Sequence, residues 1–130
     1  MAKSKTGASK KKISSSKKNT EAEFTMETGK SISAISRRVE DMAKNGWSPL
    51  GGAFFFYTDK GNPAFAQSLI RSEKKKSKLG YVIQTGKSPS ALSSRVNTRI
   101  NDGQVPVGSG FVFRSDDGSL VYCQTLVSSD

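Results

Sequence analysis

At 130 residues the chain is one domain's worth of sequence, and either half alone is too short to bury a strong core. A single cysteine excludes an internal disulfide framework, the lack of histidine excludes a His-based triad and leaves no zinc ligand set, and no apolar run reaches the roughly 18 to 20 residues of a membrane helix. The formal charge of +10 is unevenly spread: residues 1–23 carry seven lysines against two glutamates and residues 71–80 carry five basic groups against Glu73, whereas 24–70 carries five basic and four acidic groups and 81–130 four of each.

Residues 1–20 are almost entirely Lys, Ser, Ala, Gly and Thr, with only Met1 and Ile13 as sizeable apolar groups, so ordering them would bury too little surface to offset the entropy lost. This stretch is expected to be a flexible basic tail. Lys3, Lys5, Lys10, Lys11, Lys12, Lys17 and Lys18, together with Arg71, Lys74, Lys75, Lys76 and Lys78 of the linker 71–80, form the candidate set of phosphate contacts. A tail that only raises solubility is the competing reading.

The rest of the chain occurs twice. Residues 24–70 align with 81–127 at an offset of 57 without a gap, with 18 identities in 47 positions, among them Thr28 to Ser31 with Thr85 to Ser88. Many of the other pairs conserve character, as in Phe24/Tyr81, Ile35/Leu92 and Phe65/Tyr122.

Phe24 to Thr28 and Tyr81 to Thr85 alternate like half-buried strands. Ser31 and Ser88 stand as helix N-caps ahead of apolar stripes, Ile32, Ile35, Val39 and Met42 in one copy and Leu92, Val96 and Ile100 in the other, and Pro89 suits a first helical position. Gly46 and Gly103 are placed to end these helices. A second strand is expected within Trp47 to Tyr57 and Gln104 to Arg114, then a turn at Asp59 to Asn62 and Asp116 to Ser119, then a third strand over Ala64 to Ile70 and Leu120 to Val127. The expected fold is α+β: two tandem βαββ repeats sharing one core, related by a pseudo-two-fold axis, with an antiparallel-rich sheet of about six strands covered on one face by two helices.

The aromatic strand ending in Thr-Gly, the amphipathic helix, the Asn45-Gly46-Trp47 to Gly51-Gly52 element and the final strand with Phe65-Ala66-Gln67 resemble a small domain of bacterial and bacteriophage proteins, catalogued only as a domain of unknown function. The resemblance covers both repeats, although Gln104 and Ser109 replace Trp47 and Gly52 in the second. It implies a bacterial or phage setting and no activity. With no signal-peptide core at the N-terminus, the expected location is a reducing bacterial cytoplasm or a particle assembled there.

The Gly-Lys-Ser strings invite a phosphate-loop reading, but the first glycine of that motif is Phe24 in one copy and Tyr81 in the other. What survives is a pair of helix-start loops, Gly29-Lys30-Ser31 and Gly86-Lys87-Ser88, whose amides, lysine and hydroxyl could hold a phosphate or carboxylate; plain turn, cap and solvated lysine is the alternative. Phe55 and Tyr57 could form a base-stacking platform or pack on protein. Cys123, in an apolar strand, reads as a buried thiol. No catalytic group, metal or cofactor is expected. The functional expectation is a noncatalytic nucleic-acid-associated protein, its lysine-rich segments on phosphates and its neutral body on a protein partner or a further copy. The alternatives are a phage anti-defence protein sequestering a small nucleotide signal and a structural virion component.

Overall fold

The computed structural model describes residues 23–71 and 79–129. They form β1 (Glu23–Gly29), α1 (Ile32–Ala43), β2 (Ser48–Pro49), β3 (Phe54–Tyr57) and β4 (Pro63–Arg71). The same order then returns as β5 (Leu79–Gly86), α2 (Pro89–Asn101), β6 (Val105–Pro106), β7 (Phe111–Arg114) and β8 (Leu120–Ser129). Local chemistry sets the boundaries. The Ser31 and Ser88 hydroxyls each accept a hydrogen bond at 3.1 Å from the amide three residues on, at Ala34 and Ala91, and Pro89 opens α2. Gly46 and Gly103, at φ 92° and 93°, close the helices in a conformation that side chains disfavour.

One long strand organises each half. β4 pairs antiparallel with β1 along one edge, from Glu23↔Arg71 to Gly29↔Phe65, and with β2 and then β3 along the other. β8 does the same with β5, β6 and β7, and the register repeats at the 57-residue offset: Phe24↔Ile70 returns as Tyr81↔Val127, and Phe54↔Ala66 as Phe111↔Cys123. The expected single sheet of about six strands is therefore corrected to two four-stranded antiparallel sheets. Among the described residues no strand of one half pairs with the other half, and the expected second strand is broken by Gly51 and Gly108 at φ 73° and 67°.

The halves join through side chains. One cluster unites Ile35, Val39, Ala53, Phe65 and Leu69 with Tyr81, Ile83 and Cys123, so neither half keeps a core to itself. Phe55 stacks on Phe113 at 5.0 Å, and Phe65 meets Phe113 edge to face at 5.2 Å. Tyr81 donates from its buried phenol to Gln67 Oε1 at 2.6 Å, its amide donates to Glu40 at 3.2 Å, and the Ala53 amide donates to Thr125 Oγ1 at 3.0 Å.

The surfaces that meet are not equivalent. Gly29 and Glu27 lie against α1, so α1 covers the face of the first sheet that carries Phe65, Gln67 and Leu69. Gly86 and Gln84 lie against α2 in the corresponding way. Yet β5 also packs on α1, through the opposite face carrying Tyr81 and Ile83, whereas α2 makes no contact with β1. A two-fold axis brings like faces together and makes every contact reciprocal. These contacts instead run in one direction, from the helix side of the first half to the bare sheet face of the second.

Candidate functional site

Each helix-start loop has structural duties for two of its three residues. A Cβ on Gly29 would stand 2.8 Å from the Ile35 nitrogen, and one on Gly86 2.7 Å from that of Leu92, so the strand end reaches the helix only because the residue is glycine. Ser31 and Ser88 are occupied as caps. Lys30 and Lys87 are exposed, but their surroundings differ. Beside Lys30 lies a cleft of about 630 Å³ lined by Thr28, Gly29, Phe56, Thr58 and Asn62. Lys87 lies near Asp117, whose carboxyl is held down to about 2 by hydrogen bonds from the Ser115 hydroxyl and the Ser119 amide, with a smaller contribution from the Lys87 charge. Lys60 occupies the position of Asp117 in the first half, so the surroundings of the two loops are not equivalent.

A second cleft of about 380 Å³ adjoins Thr28 and Gly29 and includes Arg37, Arg38 and Asp41. Arg38 is already committed, donating from Nε to Glu27 Oε1 at 2.6 Å. Hydrogen bonds from Thr25 and from Arg38 hold the Glu27 carboxyl below its ordinary range. Arg95, its counterpart, donates to the Thr85 carbonyl at 2.8 Å. Among the described residues no group of three or more acidic or cysteine side chains is gathered to hold a metal ion.

Of the basic segments, Lys3, Lys5, Lys10, Lys11, Lys12, Lys17, Lys18, Lys74, Lys75, Lys76 and Lys78 lie outside the described residues. Arg71 lies inside them and is engaged by the body: it donates to Glu23 at 2.9 Å and sits 4.9 Å from the centroid of the Trp47 ring. The described residues carry ten basic and eight acidic side chains, so the remaining charge excess belongs to the two lysine segments. No helix among the described residues is long and apolar enough to cross a membrane.

Of the two readings of Phe55 and Tyr57, packing on protein describes Phe55. Phe55 is drawn inward onto Phe113 and Phe65, and only Tyr57 of the expected platform is open to solvent. The outward face of the first sheet instead presents Phe24 at 59%, Met26 at 50% and Phe54 at 38% exposure, with Phe56 and Ile70 beside them. The sequence did hold a sign of this. The counterparts Tyr81, Ile83, Phe111 and Phe113 are as large and apolar, which is the composition of a surface built to be covered.

Cys123 is fully buried, and burial pushes its thiol up to about 12. In native protein it should resist alkylation at pH 8 and react fully once denatured; stoichiometric labelling of the native form would place the thiol at the surface.

No protein-family model, curated protein or solved structure matches the chain.

Proposed function

We propose that this is a noncatalytic nucleic-acid-associated protein, in which the lysine-rich segments 1–23 and 72–78 grip phosphates and the duplicated body docks on protein, within a phage or other nucleoprotein particle. The observation that carries this reading is the separation of charge from fold. The described body is close to neutral, several of its arginines are spent on Glu23, Glu27 and backbone carbonyls, and the surplus lysines fall outside the described residues. A polyanion attracted by lysine-rich segments needs no shaped pocket, because neutralising phosphates releases counterions whatever the base sequence. The domain resemblance and the shared 57-residue register support a duplicated unit, and the one-way contacts between halves support head-to-tail stacking of that unit in place of the expected two-fold.

The nucleotide-sequestering alternative draws on the cleft beside Lys30. Binding of the full chain to a labelled oligonucleotide, followed from about 50 to 200 mM salt, separates the two. The expected result is affinity that falls steeply with salt and is nearly unchanged by Lys30→Ala with Lys87→Ala. Absence of binding at about 50 mM salt, where the electrostatic contribution is strongest, would reject the nucleic-acid reading. Loss of a nucleotide ligand in the double mutant would favour the alternative.

A further inference from the structure

The junction inside the chain is a template for a junction between chains. Its donor surface is the sheet face of the second half bearing Tyr81, Ile83, Phe111 and Phe113, and its acceptor is the α1 side of the first half, with Ile35, Val39, Phe55 and Phe65. Moved by 57 residues, the donor becomes Phe24, Met26, Phe54 and Phe56, and the acceptor becomes Leu92, Val96, Val112 and Tyr122. Both translated surfaces are uncovered. Phe24, Met26 and Phe54 are exposed at one end of the molecule; Val112 at 48% and Ile100 at 43% are exposed at the other, and α2 has no buried residue where α1 buries Ile35, Val39 and Ala43.

We infer that a second copy of this chain docks head to tail, the outer face of its first sheet seating on the α2 side of the copy before it. This rests on the reading that the body docks on protein and names that protein. The polar groups of the template are mostly kept. Ser68 brings a hydroxyl where Thr125 accepts from the Ala53 amide, facing Gly110 as the counterpart of Ala53, and Asn97 offers a side-chain carbonyl where Glu40 accepts from the Tyr81 amide. One bond is lost, since Phe24 has no hydroxyl to donate to Gln124 as Tyr81 donates to Gln67. Ile100 also replaces the small Ala43, and Ser109 replaces Gly52, where a Cβ in the internal junction would stand 2.9 Å from the Val107 carbonyl oxygen. The loops of two copies must therefore sit farther apart than those of the two halves. The contact between chains is therefore weaker than the internal one and depends on concentration. Because its two surfaces differ, it leaves a free face at each end and adds copies into a ring or a row.

Sedimentation or light scattering of the nuclease-treated full chain at about 0.5 M salt, where lysine-mediated bridging is screened, tests this. The mass of the parent protein should rise above the monomer as concentration approaches roughly 1 mM, a range that reveals even weak specific pairs. Met26→Asp and Val112→Asp, both at exposed positions, should each remain monomeric, and an equal mixture should form a dimer that grows no further, since each variant keeps one sound face. Phe24→Asp and Ile100→Asp form the substitute pair if either first variant melts early by circular dichroism. A parent that stays monomeric, a Val112→Asp variant that still dimerises, or a mixture that fails to recombine overturns the inference. None of these outcomes bears on the salt dependence of oligonucleotide binding, so the two proposals fail separately.

Discussion

Deletion of residues 1–20 is expected to lower the affinity for an oligonucleotide by at least about a hundredfold at roughly 50 mM salt while leaving the body folded. That stretch holds seven lysines, and each phosphate contact they make contributes about 0.7 to 0.9 to the slope of log affinity against log salt. If only half of them reach phosphates, the slope should flatten by about 2 to 3 units. The folding half of the expectation rests on the core, whose residues named above all lie at or beyond Ile35, so the melting curve of the truncated protein should overlay that of the full chain. A truncated protein that binds with the same affinity and slope would remove the tail from the mechanism. The charge excess would then serve solubility alone.

The second large effect is one of stability, and it uses the duplication as its own control. Gly51 and Gly108 are counterparts, both at positive φ, and a side chain at either is strained by about 1 to 2 kcal/mol. Around Gly51 a Cβ meets nothing within 4 Å, whereas around Gly108 it would lie 2.2 Å from the Gly52 nitrogen, a backbone atom that cannot rotate away. Gly108→Ala must therefore also force the halves apart, which adds roughly 1 to 3 kcal/mol of overpacking. In denaturant titrations Gly51→Ala should shift the midpoint modestly and Gly108→Ala severely, to the point of not folding. Equal losses at the two sites would contradict the close approach of the two loops.

These contrasts show which parts of the molecule were written locally. Helix starts at Ser31 and Ser88 and helix ends at Gly46 and Gly103 depend on a few neighbouring residues, and they were legible in the sequence. The hairpin turns were equally plain, because Gly61 and Gly118 at φ 83° and 87° supply what each turn needs. The division of the second strand was not legible, since a glycine-rich segment fits a strand with a bulge as well as two short strands. The four-residue run Phe54 to Tyr57 is aromatic on both faces, so alternation could not say which side turns inward. The placement of the halves was hidden for a deeper reason. Repeated sequence implies repeated units but says nothing of the operation relating them, and here the covered face of one unit is the bare face of the other. As for the candidate site, the caps and the neutrality of the body were visible, while the engagement of Arg71 with Glu23 and Trp47 joins residues far apart in sequence and was not.

The central strands carry one more consequence. Because β4 and β8 alone hold their sheets together, each gripping three others, no flanking strand can be retained once its centre is lost, but the centres can outlast any flank. Loss of β2 or β6, two residues long and lying at an edge, leaves the main ladders intact. Protection against amide hydrogen exchange should accordingly be graded across each half, fading first at the short edge strands and last at Ala66 to Leu69 and Cys123 to Leu126. A molecule of this kind loosens from its rims inward, toward a core that both halves share.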